Sequence, residues 1–170
     1  MSGKHRDAMK QALEWLQTIV EPVGIVVSGS IIRGNPGPSS DLDIEVLHDQ
    51  PWRRRIQRWF CETPVELFLN PPQWVHHYIR DEAAHGRPLT ADMLTTGKLI
   101  FDTNQRMAAI IDIAREVLSR GPSLSPHALL RDRYTAACLV EDALDFGGAD
   151  TPDSRQILAL AVDAVVSHEK

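Results

Sequence analysis

The sequence predicts a core of mixed α and β structure, α+β or α/β, over residues 1–102, followed by a helical segment over residues 103–170. Three observations predict it. Short apolar runs with strand-like character occur only before residue 102, bounded by Gly, Pro, Asp or Ser. After Thr103 the apolar residues follow helical spacing alone. The composition is 43% apolar and 24% charged, an ordinary globular balance that excludes disordered, collagen-like and low-complexity classes. A chain of 170 residues buries ~70% of its unfolded surface, so neither a disulfide nor a structural metal is needed for folding. No internal repeat is present.

Each element has its own signal. Met9, Leu13, Leu16 and Val20 recur at helical spacing, so residues 6–20 form an amphipathic helix that Pro22 ends. Residues 24–28, Gly-Ile-Val-Val-Ser, read as a short buried strand bounded by Gly29-Ser30. Residues 34–40, with two glycines and two prolines, form a loop. In the next strand, 41–47, Leu42, Ile44 and Val46 face one way and Asp41, Asp43 and Glu45 the other. Trp52, Ile56 and Trp59 lie at i, i+4 and i+7, which predicts a short helix turning Arg53, Arg54, Arg55 and Arg58 to water. Val65, Leu67 and Leu69 share one face of a strand over 65–69, with Glu66 and Phe68 on the other. Pro71-Pro72 closes it and opens a helix to about Ala84. Residues 98–101 form a fourth strand after Gly97. Helices then span 104–119, 126–146 and 153–168, separated by Gly121-Pro122 and Gly147-Gly148.

Charge and cysteine content bound the setting. Eighteen Lys and Arg against 23 Asp and Glu leave a net charge of −5, which argues against a general DNA-coating protein. Cys61 and Cys138 are far apart with no zinc spacing, and read as small apolar residues in a reducing compartment. The N-terminus leads into no signal-peptide apolar run and no run of 18 apolar residues occurs, so the expectation is a cytoplasmic protein without a membrane span.

The chemistry-bearing residues converge on one place. Asp41 and Asp43 lie on one strand face, ~6–7 Å apart along it, where their side chains can meet at one cation. Hard cations such as Mg²⁺ take one or two carboxylates from protein and complete their shell with water and phosphate. The Gly29-Ser30 turn offers backbone N–H groups and a hydroxyl to phosphate oxygens, and glycine permits close approach. Glu66 becomes the third acid if its strand lies beside that of the aspartates. Separately, each piece has a bland reading: a solvated strand face, an ordinary turn, an edge charge that reaches water.

Taken in order, Gly29-Ser30-Ile31-Ile32-Arg33-Gly34 followed by Ser40-Asp41-Leu42-Asp43-Ile44-Glu45-Val46 resembles the signature of the DNA polymerase β-like nucleotidyltransferase superfamily. Within it, the similarity is to the minimal-nucleotidyltransferase and antibiotic-adenylyltransferase branch, close over residues 25–47 and general in the helical tail. The resemblance implies an α+β fold: a small mixed β-sheet core over 1–102, flanked by helices, with a C-terminal helical segment over 103–170. It implies that Asp41 and Asp43 bind metal, and that Glu66 completes the metal site or takes the proton of the attacking hydroxyl. Gly29 and Ser30 match the turn that holds the nucleotide phosphates. The implied reaction is in-line attack of an acceptor hydroxyl on the α-phosphorus of ATP or another NTP, with pyrophosphate leaving and two Mg²⁺ stabilising both oxygens. The loop here carries Pro36 and Pro38, a stiffer version than the family pattern, and this bears on the placement of Ser40.

Other residues carry two readings. Arg33 contacts a triphosphate or pairs with a nearby Asp. Lys98 reaches phosphate or is solvated. The arginine cluster at 53–58 is read as the wet face of a helix, with RNA binding as the alternative. His76 and His77 point in different directions and have no metal spacing. Glu45 lies further along the strand and stays outside the metal set. The acceptor is an antibiotic or other small molecule, a protein tyrosine or an RNA end. The rival to an enzyme is a non-catalytic antitoxin-type module that keeps the fold and binds a partner protein; three retained, mutually repelling acids favour the enzyme. Residues 157–166 carry Asp163 as their sole charge, so a second copy or a partner subunit is expected to cover the helices at 126–146 and 153–168, the alternative being a closed bundle with Ala159, Ala161 and Ala164 as its outer face.

Overall fold

The computed structural model describes residues 1–37, 40–121, 125–146, 156 and 159–162. Among the described residues the elements follow one another as α1 (Gly3–Leu16), β1 (Gly24–Ser28), α2 (Ser30–Arg33), β2 (Leu42–Leu47), β3 (Arg54–Phe60), β4 (Thr63–Asn70), α3 (Pro72–Ala84), α4 (Leu89–Thr96), β5 (Lys98–Asp102), α5 (Arg106–Arg120) and α6 (Pro126–Phe146). The strands form one mixed sheet in the order β3-β4-β2-β1-β5. Only β2 and β4 pair in parallel; the other three pairs are antiparallel.

Alternation along the strands builds two cores. Leu42, Ile44 and Val46 of β2 join Ile25, Val27, Val65, Leu67 and Leu69 on one face, under Ala8, Ala12 and Leu16 of α1. Removing one of these larger side chains costs ~2–5 kcal/mol. On the other face, Val26 and Leu47 pack with Val75 and Ile79 of α3, Ala91 and Leu94 of α4, and Met107, Ile110, Ile111 and Ala114 of α5. Because α5 buries this stripe with the sheet, the first compact unit runs over Met1–Pro122, past the expected boundary at residue 102. The second unit is Ser123–Lys170. Within it α6 exposes Leu130, Tyr134 and Leu144. Residues 156 and 159–162 are helical, and the rest of the helix expected at 153–168 lies outside the described residues. Among the described residues no helix is long and apolar enough to cross a membrane.

Three elements depart from the sequence reading. α2 occupies Ser30–Arg33, directly after the expected Gly29-Ser30 turn. Residues 85–97 contain α4, whose first turn is held by Glu82 accepting from the Thr90 backbone N–H at 2.6 Å and its hydroxyl at 2.9 Å. The helix expected around Trp52–Trp59 is instead β3, an edge strand paired to β4. The same residues satisfy period two, with Ile56 and Phe60 inward beside Arg54 and Arg58, and Arg55, Gln57 and Trp59 on the opposite face. Pairing with the buried β4 decides between the periods. Trp52 and Ile56 pack on the core, whereas Trp59 is 69% exposed.

The β3–β4 hairpin closes through Cys61 and Glu62, both at positive φ, 44° and 55°. Two such residues form the primed turn whose twist suits a hairpin, yet neither is the Asn or Gly that prefers it. Glu62 is exposed and its ion pair with Lys4, at 3.2 Å, is solvent-screened. Glu62→Gly is therefore expected to stabilise the protein by roughly 0.5–1 kcal/mol, seen as a higher denaturant midpoint at unchanged m value.

Candidate active site and metal centre

The register across the sheet assembles the acids. Ser28 of β1 lies opposite Asp43 of β2, Asp43 opposite Glu66 of β4, and Glu66 opposite Gln57 of β3. These four residues form one row across the sheet, on the face away from α1. Along β2 this face goes from buried Leu47 and Glu45 to half-buried Asp43 and Asp41. The acids therefore sit where the covered face opens to water. One carboxylate oxygen from each of Asp41, Asp43 and Glu66 lies within 4.8 Å of the other two.

Crowding has an electrostatic signature. Burial, then the charges of Asp41 and Glu66, push the Asp43 carboxyl from its usual 3.8 to about 6, while Arg33 and Arg55 oppose the shift. Glu66 Oε1 accepts from Arg55 Nε–H and, at 3.3 Å, from the Gln57 amide. Three hard oxygen donors whose mutual repulsion raises a carboxyl pKa fit a divalent cation, which would relieve that repulsion.

The turn expected to hold phosphate lies against this row. Gly29 adopts φ 96°, a region closed to most side chains, and a Cβ there would lie 3.1 Å from the Asp41 carbonyl and 3.2 Å from Asp43 Oδ2. The glycine is thus required both by its backbone and by its contact with the aspartates. Ser30 opens α2, and its hydroxyl bonds that of Ser40 at 2.6 Å, fastening the far end of the loop to the turn. Ser40 also accepts from the Gly37 N–H at 2.8 Å. Arg33, exposed at the end of α2, acts on Asp43 through its charge. Lys98 is exposed on β5, beside Val27 of β1 and on the side of β1 away from β2.

Residues that the sequence reading left out of the site complete it. Arg55 and Gln57 hold Glu66, and their part was hidden because β3 was read as a helix. Trp59 lines two clefts. One, of about 240 Å³, is lined by Asp41, Gln57, Pro64 and Glu66; the other, of about 280 Å³, by Lys4, His5, Ser40 and Glu62. Elsewhere in the cluster at 53–58, Arg53 stacks over Trp74 at 4.2 Å and Arg58 over Trp15 at 4.6 Å.

Comparison with known proteins bears directly on this arrangement. A family model described as a nucleotidyltransferase domain matches residues 7–131. The chain belongs to this nucleotidyltransferase family, within the DNA polymerase β-like superfamily. The match includes the Gly29 turn, both aspartates and Glu66. Among solved structures, a nucleotidyltransferase-like protein from Exiguobacterium sibiricum aligns at 14% identity and a TM-score of 0.49, covering 92% of this chain and 53% of that one. The chain thus spans about half the length of that protein. No curated protein matches the sequence.

Directly behind the three clustered acids, Glu45 is buried on the same strand face. Burial drives its carboxyl from 4.5 to about 8, while a hydrogen bond from the Asn70 amide at 3.0 Å pulls the other way and Glu82 adds to the rise. A raised native pKa means the folded state holds this proton more tightly. Its contribution to stability is complete below about pH 4.5 and is lost as pH rises through about 8. Glu45→Gln keeps an acceptor for Asn70 without the titration. Its unfolding free energy should fall less between pH 5 and 8 than that of the wild type, by on the order of 1–3 kcal/mol, measured by denaturant titration at each pH.

Proposed function

We propose that the protein is a Mg²⁺-dependent nucleotidyltransferase that moves the AMP of ATP to an acceptor hydroxyl and releases pyrophosphate. The convergence of Asp41, Asp43 and Glu66 within 4.8 Å, beside a glycine-dependent turn, carries this reading. Asp41 and Asp43 are the residues that would hold Mg²⁺, with Glu66 completing the set. The cation would supply charge neutralisation at the transferring phosphoryl group.

The chain's own residues do the rest. Gly29 removes the side chain that would stand between the phosphates and the aspartates. The Ser30–Ser40 hydrogen bond fixes the hydroxyls at the turn, and Arg33 adds a positive charge on the same side. The cleft along Asp41, Gln57, Trp59 and Glu66 gives the acceptor a path to the acids. An acceptor hydroxyl entering there meets Glu66, whose carboxylate can take its proton. The acceptor itself, whether small molecule, protein or RNA end, is found by labelling. The protein is incubated with each labelled NTP, Mg²⁺ and cell extract. Label should transfer from ATP and disappear with Asp41→Asn plus Asp43→Asn in a folded protein. Glu66→Gln should lose about 10²-fold or more in turnover. Full transfer by the double variant would end this reading.

The exposed Leu130, Tyr134 and Leu144 fall along one stripe of α6 and support its cover by a second copy or a partner subunit. Light scattering at micromolar concentration should then give a mass above that of one chain; a monomer that binds no hydrophobic dye excludes it.

A further inference from the structure

Arg55 and Glu66 form a pair with unequal exposure. Glu66 lies in the second strand from the sheet edge with its side chain 10% exposed, whereas the Arg55 side chain on the edge strand is 65% exposed. The register sets Gln57 against Glu66 and Arg55 against Phe68, so all four share a face. The guanidinium reaches Glu66 Oε1 through Nε–H and lies 5.5 Å over the Phe68 ring. It is also close enough to Asp43 to lower that carboxyl's pKa.

We propose that Arg55 is the resident counter-cation of the metal-free site: a positioning residue that holds Glu66 in place and yields it when the acid trio takes a divalent cation. This rests on the reading of the trio as a metal centre. Three carboxylates converging without a cation repel one another, and Arg55 places its single charge on the least exposed of them. That charge is a placeholder, because a guanidinium and a divalent cation at the same carboxylate repel each other. Release is feasible because the arginine is tethered at the rim by one ion-paired hydrogen bond, the kind that solvent weakens most. Phe68 offers the released guanidinium a ring face to stay on. Gln57, neutral, keeps its hydrogen bond to Glu66 Oε1 and preserves the carboxylate's orientation through the exchange. Arg55 thus sets metal affinity lower than the trio alone would give, and in return steadies the empty site.

Mn²⁺ binding to the full chain, followed by electron paramagnetic resonance and calorimetry, tests this. Arg55→Gln should bind Mn²⁺ about fivefold or more tightly, the scale of one removed like charge at a partly exposed site. Its metal-free melting temperature should fall, and the rise on adding Mn²⁺ should exceed that of the wild type. Arg55→Lys, which keeps the charge, should stay near wild type. Arg55→Met preserves a stem over Phe68 and gives the same readouts should the Gln variant misfold. Unchanged or weaker Mn²⁺ binding in a folded Gln or Met variant overturns the proposal while leaving the metal centre intact. Mn²⁺ binding that survives Asp41→Asn plus Asp43→Asn removes the metal centre itself, and the proposal with it.

Discussion

Everything at the candidate site depends on the parallel pairing of β2 with β4. It is the only parallel contact in the sheet, and it sets Asp43 beside Glu66. A slip of one residue would turn Glu66 to the α1 face and bury it against Leu42 and Ile44 of β2, while Val65, Leu67 and Leu69 left that core. Apolar residues guard the register on that face, where Val65, Leu67 and Leu69 are all buried. On the other face a polar contact does the same work. Asn70 of β4 reaches Glu45 of β2 inside the covered part of the sheet, and in a slipped register Glu45 would lose that partner. The buried Glu45 is therefore better explained as a register device than as chemistry. Its cost in desolvation is met by sitting protonated at neutral pH.

Parallel neighbours cannot be joined by a tight turn, so the chain must leave β2, run back and return. The edge strand β3 makes that return, which is why it exists at all, and it supplies Arg55 and Gln57 to Glu66 as a consequence of pairing with β4. The site's acids come from the sheet centre, where packing fixes them; its adjustable cation comes from the edge, where side chains move. That division follows from topology. An edge strand needs charge on its flanks to discourage pairing with other chains, and the arginines of β3 meet that need as well.

The same division explains what was legible in the sequence. Asp41 and Asp43 are legible because their alternation with Leu42, Ile44 and Val46 is unambiguous. Glu66 stood out for the same reason, as an acid inside an apolar strand. Its adjacency to Asp43 could not be read, since strand order is decided by tertiary pairing. β3 reads as a helix because arginines occupy both faces and Trp52, Ile56 and Trp59 fit a helical period. Its turn gave no warning, because Cys61-Glu62 lacks the residues that signal a primed hairpin. α4 was missed because its cap, Glu82, lies on α3 rather than at its own N-terminus.

The electrostatics of the site follow from where these elements meet. Burial first, and then the charges of Asp41 and Glu66, raise the Asp43 pKa further than Arg33 and Arg55 lower it. The two arginines approach from different elements, α2 on one side and β3 on the other, so neither can neutralise the trio alone. Arg33 sits beyond the glycine turn, on the side where phosphates would lie, while Arg55 sits on Glu66 itself. A triphosphate arriving without cations would add to the negative charge of the acids, and a cation arriving without phosphate would face both arginines. A cation would relieve the repulsion among the acids, and the negative charge of a triphosphate would offset the repulsion between that cation and the two arginines. On the proposed function, the arrangement of fixed acids between two outlying guanidiniums would favour joint entry of cation and triphosphate, through charge placement that the register of β2 and β4 imposes.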